Sequence, residues 1–274
     1  MPMTIVGKSP ISFRTCDVGF IGIYGPKMYD DISDLRHFYQ TPQGRHVAAH
    51  VRPHVTRFWE RATGCCNIAL GFATPFIRSD HVDASLMPLR HGAHVWPRNK
   101  PVRSVLVDTR ALPLPDVQVD RLLLVHALEF DPDPGRLLSE CWRVIDGSGR
   151  LLIMVPHRNG IWARAEKTPF GHGRPYSRRQ LRQMLQQHGF EPRTIRTALF
   201  MPPTATGWTL KLAHNIEPVG ARWWPALGGV LLAEAEKMLY APSGKTSKLR
   251  FARSAVGARL APRPSGIVQR EDQG

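Results

Sequence analysis

Acidic residues are scarce in this 274-residue chain: 22 Asp and Glu stand against 37 Lys and Arg, a formal charge of +15. A surplus of that sign ordinarily points to a polyanionic partner, but its distribution weakens the reading here. Residues 242–274 hold seven basic side chains (Lys245, Lys248, Arg250, Arg253, Arg259, Arg263, Arg270) against Glu271 and Asp272, and residues 1–27 hold Lys8, Arg14 and Lys27 against Asp17. The body between keeps 27 basic and 19 acidic residues, which is basic without reaching a nucleic-acid binder's extreme. Cysteine is sparse too. The four thiols (Cys16, Cys65, Cys66, Cys141) include no C-x-x-C, so neither zinc spacing nor a disulfide framework is expected, and no metal site. No uncharged apolar run approaches the roughly 20 residues that span a bilayer. The apolar piece at 18–24 follows Asp17 and leads to no small-residue cleavage site, so a cytoplasmic address is expected. There is no internal repeat and no G-x-G-x-x-G fingerprint.

What is present reads as one α/β domain over residues 28–241, preceded by a flexible extension (1–27) and followed by a basic, disordered tail (242–274). Short apolar runs without strict alternation lie at 67–72 (NIALGF), 104–107 (SVLV), 121–125 (RLLLV) and 150–155 (RLLIMV), as expected of parallel strands covered on both faces. Strand material returns at 193–201 and 229–235. Val47, Val51, Val55 and Phe58 fall at helical spacing over 43–61, where Pro53 should kink or split the helix. A second helix opens on Asp-Pro over 132–145 and stops at Asp146-Gly147-Ser148-Gly149; a third carries the capping box Ser177-x-x-Gln180 and ends at Gly189.

Ligands of open α/β sheets bind beyond the carboxyl ends of the strands, so the residues after each run matter most. The first run is followed by Gly71-Phe72-Ala73-Thr74-Pro75, and the second ends in Asp108, then Thr109-Arg110-Ala111-Leu112-Pro113-Leu114-Pro115-Asp116 and Val119-Asp120. The next gives Val125-His126-Ala127-Leu128-Glu129, and Leu137 to Ile145 follows as L-L-S-E-C-W-R-V-I. In this order the pieces resemble the class I S-adenosylmethionine-dependent methyltransferases, specifically the small-molecule, ubiquinone-biosynthesis-type branch (methyltransferase domain type 11). The segment Pro169 to Ser177 (PFGHGRPYS) also looks like an uncharacterised bacterial branch of that family.

The resemblance implies a Rossmann-like, seven-stranded, mostly parallel sheet with helices on both faces and S-adenosyl-L-methionine as cofactor. It further implies that Gly71, Phe72 and Ala73 form the loop around the methionine moiety, that Asp108 accepts from the adenine amino group, and that Thr109, Ala111 and Leu112 wall the adenine. His126 and Leu128 would sit beneath the sulfonium or face the substrate. Two positions depart from the family pattern. Ala73 and Pro75 replace glycines of the first loop, and the acid that grips the ribose is not evident: Asp83 lies only 12 residues after Gly71, and a second strand ending near Met87-Pro88 has no acid behind it. His126, His157, His172 and Tyr176 are the candidate catalytic groups, with Arg158, Arg164, Arg174 and Arg178 as possible clamps for an anionic substrate. A small-molecule methyltransferase is the leading reading; the alternatives are a methyltransferase-like binding or regulatory protein and, third, an RNA methyltransferase.

Overall fold

The computed structural model describes residues 32–60, 66–92, 94–97, 100–203, 217, 219–220, 222–224 and 226–239. The extension 1–27, the tail 242–274, Cys16 and Cys65 lie outside the described residues. Two helices lead, α1 (Ile32–Gln40) and α2 (Pro42–Glu60), followed by β1 (Asn67–Gly71), β2 (Ala84–Pro88), β3 (Ser104–Val107) and β4 (Val119–Val125). Then come α3 (Pro134–Val144), β5 (Ile145–Pro156), α4 (Arg178–Gln187), β6 (Phe190–Ala198) and β7 (Val230–Lys237). The seven strands form one sheet in the order β3-β2-β1-β4-β5-β7-β6, parallel throughout except for β7, which runs antiparallel to both of its neighbours.

The unbroken hydrophobicity of the central strands follows from this layering. In register, Ile68, Leu122 and Leu151, then Leu70, Leu124 and Ile153, pack with Leu137, Cys141, Leu181 and Leu185 of α3 and α4. The intervening row of Ala69, Leu123 and Leu152 packs on the opposite face with Leu35, Val47, Val51 and Val55 of α1 and α2. Neither face can be polar, so period-2 alternation disappears.

Helix punctuation behaves as its chemistry requires. Asp133 caps α3 by accepting from the Arg136 amide, with Pro134 in the first turn, and α4 opens on a reciprocal capping box between Ser177 and Gln180. Pro53 does not split α2: it is one 19-residue helix, with Val51 and Val55 buried on either side of the proline. Packing on the sheet outweighs the lost backbone bond. Among the described residues, the connections from β1 to β2 and from β2 to β3 contain no α-helix, only turns and a short 3-10 segment at Leu89–His91. Helices on one face therefore come from before the sheet rather than from its crossovers.

Truncating Leu137, fully buried under the sheet, to Ala is expected to cost about 3 kcal/mol, against about 1 kcal/mol for Ser177→Ala at the α4 cap, measured by urea unfolding.

Candidate functional site

Strand order reverses between β1 and β4, the switch point at which the carboxyl ends of such sheets open a crevice. Gly71 pairs with Val125 there, at φ +90°, and a Cβ on it would collide with the Val125 carbonyl oxygen. The glycine is thus demanded by the approach of two strands. Beyond it the chain turns tightly, Phe76 N–H donating to the Ala73 carbonyl at 2.9 Å, and Phe72, Ala73 and Phe76 are all buried.

His126 leaves β4 in the left-handed region, φ +51°, a conformation uncommon for a residue with a Cβ. Its ring is fully buried and held from both sides: Nδ1 is 3.0 Å from Glu129 Oε1, and Nε2 is 2.6 Å from the Tyr39 hydroxyl of α1. Burial, reinforced by the Glu129 charge, raises the Tyr39 phenol well above its ordinary pKa, so Tyr39 keeps its proton and is able to donate. In the tautomer with the proton on Nδ1, Nδ1–H donates to Glu129 and Nε2 accepts from Tyr39. The rings of Phe72, Phe76 and Phe38 surround Tyr39, while Phe130 and Phe170 flank His126, the last at 5.2 Å between centroids. Glu129 is 2% exposed, and its Oε2 has no hydrogen-bond partner among the described residues.

The other expected site residues are dispersed. Asp108 ends β3, exposed enough to pair with Arg110 at 2.8 Å; that hydrogen bond holds its carboxyl below the usual range. Thr109 is half-buried, Ala111 is exposed, and Leu112 is buried in the α3/α4 core. Leu128 is likewise a core residue of that face, and its side chain does not face the switch point cluster. Tyr176 is a core residue as well: its hydroxyl is 3.5 Å from the Leu128 carbonyl and burial pushes it up to about 12, which argues against a general base. His157, at the end of β5, spends Nδ1 on the Gly228 carbonyl at 2.9 Å and ties β5 to the start of β7. His172, half-buried, contacts the Glu166 carbonyl at 2.6 Å. Of the four catalytic candidates, only His126 lies in the switch-point cluster. Asp83 precedes β2 and accepts from the Asn67 amide at 2.8 Å, while Leu89, Arg90 and His91 follow the strand, so no acid stands in the ribose position.

Two of the E-x-x-R residues prove architectural. Glu140 accepts from the Leu112 amide at 2.9 Å, and Arg143 donates to the carbonyls of Leu112 and Leu114, both at 2.9 Å, clamping the loop after β3 to α3. The residues of this cluster that the sequence did not single out are Tyr39 and Glu129. The i,i+3 spacing of His126 and Glu129 was a readable signal; Tyr39 arrives from 87 residues away and had none.

The cluster suits a cationic methyl donor. Aromatic faces and a buried carboxylate oxygen without a partner are what a sulfonium and its ammonium group complement, so Tyr39, Phe72, Phe76 and Glu129 could hold that end, with Asp108 at the adenine end. Among the described residues no helix is long and apolar enough to cross a membrane, and no group of three or more His, Cys, Asp or Glu could hold a metal ion.

Comparison with known proteins agrees with this layout. Residues 62–153 match the methyltransferase domain family. A probable S-adenosylmethionine-dependent methyltransferase of Mycobacterium tuberculosis is 25% identical over 193 residues, covering 67% of this chain and 66% of the relative. The chain thus matches just under two thirds of that relative's length. A Mycolicibacterium smegmatis protein of the same description is 33% identical over 82 residues, 29% of this chain and 32% of its own. In structure, the chain resembles a Thermotoga maritima S-adenosylmethionine-dependent methyltransferase, described as a possible histamine N-methyltransferase, with TM-score 0.60 and 20% identity over 77% of this chain and 97% of that one.

Tyr39→Phe leaves Nε2 of a buried histidine without its donor and is expected to lower stability by about 2 kcal/mol in denaturant titration. Burial holds the folded-state pKa of His157 below that of the unfolded chain, near 6.5, so the unfolded chain takes the proton first as pH drops. Stability should fall below about pH 6.5, and His157→Gln should flatten part of that slope, the rest belonging to His54 and His94, whose pKa values burial also lowers.

Proposed function

We propose that this chain is a class I S-adenosylmethionine-dependent methyltransferase that transfers a methyl group to a small-molecule acceptor with His126 as the proton-accepting base. The observation that carries the assignment of His126 is the Tyr39–His126–Glu129 chain of hydrogen bonds at the sheet's switch point. When bound, the cofactor supplies an electrophilic methyl on a cationic sulfur.

The protein's own share of the work is orientation, water exclusion and one proton. Glu129 fixes the imidazole with its proton on Nδ1 and leaves Nε2 as the accepting nitrogen. An acceptor hydroxyl or amine that takes over Tyr39's hydrogen bond at Nε2 gives its proton to His126, and the adjacent carboxylate offsets the imidazolium that results. The aromatic rings of Phe72, Phe76 and Phe170 keep water from the reacting groups. Tyr39 belongs to α1, so the Tyr39 side chain or α1 itself must move for the acceptor to reach Nε2.

Calorimetric titration with S-adenosylhomocysteine is expected to show binding in the micromolar range, and a flat titration would overturn the reading. Transfer of labelled methyl from the cofactor into a small-molecule extract is expected to fall about 100-fold in His126→Asn, a residue that tolerates the left-handed backbone, and about tenfold in Glu129→Gln. Undiminished turnover in His126→Asn would remove the base from His126.

A further inference from the structure

Two arginines named above as candidate clamps come together at a place the methyl-transfer reading does not use. Pro156, His157 and Arg158 run beside Pro175 and Tyr176 as a short parallel bridge, with Tyr176 N–H donating to the Pro156 carbonyl and Arg158 N–H to the Tyr176 carbonyl, both at 2.9 Å. On the other side of the same segment Arg174 N–H donates to the Glu129 carbonyl at 2.8 Å. Gly173, at φ +76°, allows that approach, because a Cβ there would press on the same carbonyl oxygen. The backbone beneath both arginines is therefore fixed from three directions.

Their side chains line an open groove of about 400 Å³, whose remaining wall is α4 with Gln180, Gln183, Met184 and Gln187. No carboxylate lines it. Five other arginines, Arg78, Arg110, Arg143, Arg150 and Arg193, are matched to Asp or Glu, whereas neither Arg158 nor Arg174 has an ion-pair partner among the described residues. The closest acceptor given to the Arg158 fork is the Pro175 carbonyl, at a long 3.4 Å. Gln180 uses its Oε1 in the capping box, which turns the amide's donor end to other use. Two unmatched guanidinium forks, neutral amide donors and an apolar patch from Met184 and Pro175 make a receptor for an oxyanion on a partly apolar body.

The groove also stands at the reacting end of the sheet. Val125 pairs with Met154, so His126 and Arg158 leave adjacent strands β4 and β5 at the same edge, and Arg174 is bonded to the residue whose side chain holds His126. We infer that Arg158 and Arg174 form the subsite for the oxyanion, carboxylate or phosphate, of a small anionic methyl acceptor. This rests on the transferase reading for the word acceptor, but not for the binding itself.

The test uses the full chain titrated at constant ionic strength with inorganic pyrophosphate and, separately, with succinate, followed by calorimetry or NMR. One of the two is expected to bind saturably, and which one does so tells phosphate from carboxylate. Arg158→Gln and Arg174→Gln are each expected to weaken that binding at least tenfold, with Arg174→Lys, which keeps the charge and loses the fork, falling between. Both side chains are exposed, and unchanged thermal unfolding confirms that each variant is folded. Absence of saturable binding by either probe, or binding that both glutamine variants leave untouched, overturns the subsite. Parallel titration with S-adenosylhomocysteine separates the two readings: anion binding without cofactor binding sinks the transferase and spares the groove, and the converse sinks only the groove.

Discussion

The approach of β1 to β4 at Gly71 governs the geometry of the candidate site. With no Cβ on that residue, the strand can lie against the Val125 carbonyl and still turn, at φ +90°, into the buried Phe72-Ala73 segment. Any side chain would force the two strand ends apart. His126, the next residue on β4, would then lose both its neighbours in the aromatic cluster and the register that lets it reach Tyr39 and Glu129 together. A position read in the sequence as a ligand loop is thus first a condition of the sheet, and the crevice follows from it.

The short β1–β2 and β2–β3 connections have a related effect. They leave one face of the sheet to be covered by α1 and α2, so the element that carries Tyr39 also supplies the core. Cover and candidate site are coupled through one helix: Leu35 and Phe38 of α1 are buried in the same cluster as Tyr39. Moving α1 away would expose those side chains, at about 1.5–3 kcal/mol each by area.

Much of the fold was legible. The strands carried their own signature because both faces are buried, and α3 and α4 were marked by caps whose hydrogen bonds form as the residue types require. The site was legible only where it is local. His126 and Asp108 could be placed at strand ends from the pattern alone, since a strand's end is a property of consecutive residues. Tyr39 could not, because its contact with His126 is set by how α1 docks. Where Leu128 and Tyr176 pack was not legible for a related reason: a residue after a strand can face either layer, and these two lie in the α3/α4 core. Arg158 and Arg174 were named separately, but only the parallel bridge between their segments brings them to one groove.

The clamp of Glu140 and Arg143 on the loop after β3 is continued one turn earlier along the same helix. From Leu112 to Leu114 the backbone is tied to α3 by Glu140 and Arg143, and the Arg110 carbonyl accepts from Arg136 of that helix at 3.2 Å, while the side chains of Asp108 and Arg110 pair at the surface. The Asp108–Arg110 pair is therefore a surface contact mounted on a backbone that α3 holds on both sides of Ala111.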